Sequence, residues 1–126
     1  MSGKKREIQD LHHKDSRIRS AAERKILNTY CQGTAADLIK VAMIHLHEEL
    51  TNNPTFQIKS INGINPAARM VLQLHDELIF EVHENYVEKI AFLVKDKMEN
   101  STHLKVSTPV KIKIGKNWSD MNVYLK

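Results

Sequence analysis

Apolar and polar positions alternate along this chain with changing period, and the changes mark its elements. Residues 1–16 show neither a helical nor a strand period and read as a loop. From Arg17 to Cys31, "RIRSAAERKILNTYC" is rich in helix formers and predicts a helix. Gly33 then punctuates the chain, and Thr34 with Asp37 three residues on has the form of a fresh helix cap. Ala35–Leu50 predicts a second helix, apolar on most sides. Ala35, Leu38, Ile39, Ala42, Met43 and Leu46 make one wide face, and Val41 and Ile44 widen it.

Residues 51–68, with two prolines, four Asn and one Gly, read as a connecting segment. A strand is expected over Arg69–Leu74 with Met70, Leu72 and Leu74 on one face, and another over Leu78–Val82 with Leu78, Phe80 and Val82 on one face. Only His75, Asp76 and Glu77 separate them, which predicts an antiparallel hairpin tipped by these three. Its turn contains no Gly or Asn to supply the positive φ that tight turns favour, so the tip is constrained by something other than turn formation. Glu84–Glu99 reads as an amphipathic helix, with Val87, Ile90, Ala91, Val94 and Met98 inward and Glu88, Lys95 and Asp96 outward. "TPVKIKIG" alternates as a half-buried strand ending at Gly115, with Val110, Ile112 and Ile114 inward. The expected fold class is α+β: an antiparallel sheet backed by helices.

Composition narrows the setting. The 126 residues are near the size of one domain. The single cysteine, Cys31, excludes an internal disulfide and suits a reducing compartment. No run of 18 apolar residues predicts a membrane span, and the charged start lacks the apolar core of a secretory signal. Net charge is +4, with eight Lys/Arg against four Asp/Glu in residues 1–30 and eleven of each in the remainder. A basic first quarter fits either a polyanion-facing edge or a solvated end.

Two constellations carry chemistry. Asp76 and Glu77 offer the carboxylate oxygens that a hard cation such as Mg²⁺ prefers. Neighbours on a strand face opposite ways, so the simplest arrangement gives Asp76 to metal and Glu77 to a supporting place. His75 is placed to orient a neighbour or donate to a ligand. The alternative is a solvated acidic turn. The second constellation is Arg24, Asn28 and Gln32, four residues apart along the first helix. All three donate hydrogen bonds. The DNA minor groove presents acceptors at every base pair, so such a stripe is able to sense pairing geometry without reading sequence. The alternative is a hydrated helix face. His45 and His47, two apart on a helix, do not share a face, and His12 and His13 lie in the loop.

Together, "AAERKILNTYCQGTAADLIKVAMI" at Ala21–Ile44 and "LQLHDELIFEV" at Leu72–Val82 resemble the C-terminal part of the polymerase domain of family A DNA polymerases. The second stretch resembles the palm motif C. The closing "PVKIKIGKNWSDM" and the opening "SGKKREIQD", similar to a basic loop of the family, agree. The long 51–68 connector makes the eukaryotic nu/theta branch the nearer one, and with it a nuclear location.

The resemblance implies a division into the end of the fingers with its basic helix (1–33) and a partial palm (34–126). It implies that Asp76 is a catalytic metal-binding carboxylate supported by Glu77 at a two-metal Mg²⁺ site, and that His75 lies near the primer terminus. Arg24, Asn28 and Gln32 would contact primer-template DNA, and deoxynucleoside triphosphates would be the substrates of DNA repair or replication synthesis. Tyr30 and Cys31 depart from the family's pattern at the junction of the two helices. The second metal-binding Asp and the fingers helix that grips the nucleotide have no counterpart in this sequence. The expectation is therefore a C-terminal fragment, inactive alone. The alternative is an inactive truncated isoform that binds primer-template only.

Overall fold

A computed structural model describes residues 5–61 and 63–125. They divide into two compact units, Met1–Asp37 and Leu38–Lys126.

In the first unit, a turn at Asp10 (φ 70°) is closed by His13 N–H donating to Asp10 O at 3.1 Å. Helix α1, Ser16–Asn52, starts just after Asp15. Asp15 Oδ1 accepts the Arg17 N–H at 2.8 Å, satisfying one of the donors that a helix start leaves open. The Asp15 N–H donates in turn to His13 Nδ1 at 3.0 Å. The 37 residues of α1 run unbroken through Gly33, where two helices were expected. A helical glycine costs only about 1 kcal/mol relative to alanine, which the helix formers on both sides offset. No new helix starts at Thr34.

In the second unit, the later part of α1 buries Ile39, Ala42, Leu46 and Leu50, a stripe at spacings of three and four. Ile44 is 56% exposed, so the buried face is narrower than the expected all-round apolarity. Leu46 and Leu50 join Phe56, Ala67, Ala68, Ile90 and Val94 in one core, flanked by Met70, Leu78, Phe80, Val82 and Ile112.

Residues 51–68 are more ordered than a connector. The Asn53 side chain accepts the Thr55 N–H at 3.0 Å and caps a short 3₁₀ turn, Pro54–Phe56, that turns Phe56 into the core. Strands β1 (Gln57–Ser60) and β2 (Gly63–Pro66) then pair antiparallel. Ser60 pairs with Gly63, whose φ of 117° is one that side chains rarely allow. The Ala67 N–H donates to Phe56 O at 2.7 Å, and the His83 N–H donates to Ala67 O at 2.9 Å. These bonds anchor the root of the next hairpin.

That hairpin is β3 (Ala68–Leu74) with β4 (Glu77–Val82), as expected, but its register is not a simple alternation. Met70 pairs with Phe80 and Leu72 with Ile79, so Val71 is an extra residue in a β-bulge. One inserted residue reverses every later side chain. Met70 faces the core with Leu78 and Phe80, whereas Leu72 and Leu74 lie on the opposite face and are 42% and 43% exposed. The predicted shared face of Met70, Leu72 and Leu74 does not form, and Gln73 takes the face of Leu78, its cross-strand partner.

A 3₁₀ turn at Glu84–Tyr86 leads into α2, Val87–Glu99, with Ile90, Ala91 and Val94 buried as periodicity predicts. Strand β5 (Ile112–Ile114) pairs with β6 (Asn122–Leu125), a strand the sequence pattern did not reveal. Among the described residues the strands form three separate two-stranded sheets in place of one shared sheet.

Lys95 is half-buried where an outward position was expected. Its Nζ donates to Val110 O at 3.2 Å and pairs with Glu99 at 3.2 Å. The Val110 N–H donates to Glu99 Oε1 at 2.8 Å, and that bond, then Lys95, holds the Glu99 carboxyl below its ordinary value. The Asn53 amide, then the Lys97 ammonium at 3.1 Å, does the same for Glu49. A carboxyl whose folded pKa is depressed stabilises the fold above its unfolded pKa, and that contribution is lost as pH falls through the folded value. Urea melts are expected to show stability declining below about pH 4.5. Glu49→Gln with Glu99→Gln should be less stable at neutral pH and flatten that acid slope. An unchanged slope would show that these pairs carry no linkage.

Candidate functional site

Leu74 and Glu77 pair across the β3–β4 hairpin, so His75 and Asp76 are the two central residues of its turn. His75 has φ 54° and Asp76 does not share the positive sign, the pattern of a type II′ turn. Glycine is the usual first residue of that turn, and a side chain there costs about 1–2 kcal/mol. The Gln73 amide offsets part of this by donating to His75 O at 2.8 Å. Gln73 was missed by sequence reasoning. It reaches the turn on the face the bulge gives it, and no alternation pattern signals that.

His75, Asp76 and Glu77 are all exposed. Asp76 lies off the strands at the apex, while Glu77 is the first residue of β4 with its face set by pairing to Leu74. The structure thus separates the two carboxylates into an apical and a strand-borne one. The described residues provide no ion pair or hydrogen bond to either carboxylate. They also bring no three His, Cys, Asp or Glu side chains together as a metal cluster. Two adjacent, unengaged, solvent-facing carboxylates fit Mg²⁺ as part of a ligand set, since that ion takes one or two carboxylates and completes its shell with water and phosphate.

Arg24, Asn28 and Gln32 are exposed on α1, in the first unit. Each four-residue step drifts about 40° around the axis and rises about 6 Å, so the donors form a slowly winding stripe. The continuity of α1 through Gly33 places Gln32 inside a regular helix rather than at a fraying end. Beside this stripe in sequence, Arg6 Nη1 donates to Thr29 Oγ1 at 3.0 Å, and Thr29 Oγ1 donates to Lys25 O at 2.7 Å. Arg6, within the basic opening stretch, adds a guanidinium to this helix. The expected basic loop otherwise falls partly on Ser2–Lys4, outside the described residues.

His45 and His47 do not join a cluster, and no described helix is long and apolar enough to cross a membrane. The mixed helices and small antiparallel sheets match a polymerase domain. The structure resembles the POL domain of Pol1 from M. smegmatis, solved in complex with DNA primer-template and dNTP. The TM-score is 0.64 at 36% identity, over 81% of this chain and 16% of that one. The sequence model of DNA polymerase family A matches residues 1–120, and the chain belongs to that family. It is 39% identical over 116 residues to DNA polymerase I of Mycobacterium bovis. It is 37% identical to the thermostable DNA polymerase I of Thermus thermophilus, also over 116 residues. Both alignments cover 92% of this chain, which spans 12% of the length of each relative.

Proposed function

We propose that this chain forms part of a DNA-directed DNA polymerase, supplying one carboxylate-bearing turn of the metal site and part of the primer-template grip. The observation that carries the reading is the apical Asp76, exposed and unengaged on a turn built without glycine. A strained tip that keeps an ionised side chain outward is what a ligand for a shared cation needs. Asp76, with Glu77 beside it, would hold Mg²⁺. When bound, that ion lowers the pKa of a primer 3′-hydroxyl and neutralises charge on triphosphate. The polypeptide's own work is to hold the carboxylates outward. It also presents His75 to a primer end, and lays Arg24, Asn28 and Gln32 as donors along a minor groove. The relative solved with primer-template and dNTP supports these partners.

We assign residues 1–33 to the end of the fingers and 34–126 to the palm, a boundary supported by the division between compact units after Asp37. Repair or replication synthesis in a nucleus, in a protein of the nu/theta branch, belongs to the same proposal and rests on the sequence reading of the 51–68 segment alone. Imaging of the tagged protein in its own cells tests the location, and exclusion from nuclei would overturn it.

Primer extension by a complete polymerase carrying this segment tests the polymerase reading. Asp76→Asn should keep primer-template affinity and lose extension, whereas Arg24→Ala should weaken affinity. Normal extension by Asp76→Asn would overturn it.

A further inference from the structure

The balance of eleven basic and eleven acidic residues after residue 30 conceals a second segregation. Residues 31–100 hold six Lys/Arg and ten Asp/Glu, while residues 101–126 hold five Lys and one Asp. The basic excess therefore recurs at the opposite end of the sequence, on and around the β5–β6 hairpin. Lys111, Lys113 and Lys116 are exposed there, and the described residues offer none of them an ion pair. Lys113 pairs across the sheet with Val123, 49% exposed, so this is the hairpin's outer face, opposite the core-facing Ile112.

Two aromatic rings accompany the lysines. Tyr124 is the extra residue between the paired Val123 and Leu125, and is 46% exposed. Trp118 is 57% exposed although the loop that carries it is tightly built. Asn117 Oδ1 accepts the N–H groups of Ser119 and Asp120, both at 3.1 Å. Gly115 packs so closely on the Asp120 backbone that a Cβ would lie 2.6 Å from its carbonyl oxygen. The loop thus holds an indole outward on a fixed frame.

We infer that the outer face of the β5–β6 hairpin binds single-stranded nucleic acid, with Lys111, Lys113 and Lys116 on phosphates and Trp118 and Tyr124 stacking on bases. Unpaired lysines two residues apart along extended chain lie about 7 Å apart, of the order of the distance between successive phosphates in an extended strand. Rings with free faces stack on any unpaired base, which makes the contact sequence-tolerant. An acidic polypeptide would use the lysines and leave both rings idle. The inference stands apart from the carboxylates of the β3–β4 turn and needs no nucleotide addition to be read.

Trp118 is the chain's single tryptophan, so its fluorescence reports this surface alone. Titration of the 126-residue chain with oligothymidylate should give saturable quenching. Its affinity should fall with salt at a log–log slope of about −2, as three phosphate contacts require. Lys111→Glu with Lys113→Glu should weaken binding at least about tenfold, and the milder Lys111→Gln with Lys113→Gln should lower the slope. Lys40→Ala with Lys59→Ala, exposed lysines outside this hairpin, should leave the quenching curve unchanged. Binding of a labelled oligonucleotide without quenching would put the site elsewhere and overturn the inference. Equal quenching by polyglutamate or by vesicles of anionic lipid would overturn the occupant.

Discussion

Asp76→Ala, introduced into a complete polymerase that carries this segment, should lower the single-turnover rate of nucleotide addition by about 10²–10⁴-fold and leave primer-template affinity nearly unchanged. The magnitude follows from the several kcal/mol that a catalytic cation supplies to a phosphoryl-transfer transition state, at a factor of ten for each 1.4 kcal/mol. The sparing of affinity follows from position. Asp76 is exposed at the apex of a two-residue turn and has no hydrogen bond or ion pair among the described residues, so removing its carboxylate leaves the core intact. Glu77→Gln should be milder, about 10–100-fold, the range for a group that supports a metal ligand. Glu77 sits on β4, and its direction is set by pairing with Leu74. Rapid-quench extension beside equilibrium DNA binding separates the two effects. Extension by Asp76→Ala within a few-fold of the parent would remove metal binding from this turn.

Much of this was legible because the signals are local. The period of α2 needs only thirteen residues, and the β3–β4 hairpin needs only two apolar runs and a short polar gap. The acidic turn showed as ionisable groups where turn chemistry called for glycine. What escaped depended on balances or on distant partners. Gly33 looked like a stop because glycine is a poor helix former, yet its cost is small against the length of α1 on either side. The bulge at Val71 left no mark, because "RMVLQL" supports either register and the choice is made by what Met70 and Phe80 bury. In residues 51–68 the prolines drew attention from "SINGIN", where Gly63 allows the close of a hairpin. Strand β6 is short and mostly exposed, so it has no alternation to read. Within the candidate site, the carboxylates and the α1 donors were readable from residue type and spacing. Gln73 and Arg6 were not, because one is placed by the bulge and the other by a contact 23 residues away.

Leu46→Ala should destabilise the second unit by about 2–5 kcal/mol, the range for a fully buried leucine whose cavity the surroundings cannot close. Leu46 is 0% exposed and belongs to the core that gathers Phe56, Ala67, Ala68, Ile90 and Val94. That is a large part of the roughly 5–15 kcal/mol available to a domain, and corresponds to a fall in Tm of at least about 8 °C. Ile44→Ala, two residues earlier and 56% exposed, should change stability by no more than about 0.5 kcal/mol. The consequence reaches the candidate site through the hairpin. Ala68 and Val82 pair at the root of β3–β4 and pack in or against the same core, whereas the His75–Asp76 turn at the other end is exposed. Among the described residues the turn has no hydrogen bond beyond the ladder and the Gln73 bond, and its order depends on a root that Leu46 helps to hold. Amide exchange in Leu46→Ala should accelerate along β3 and β4 together with α2, as one cooperative unit. Fast exchange confined to α1, with the hairpin still protected, would show that the turn is held independently of this core.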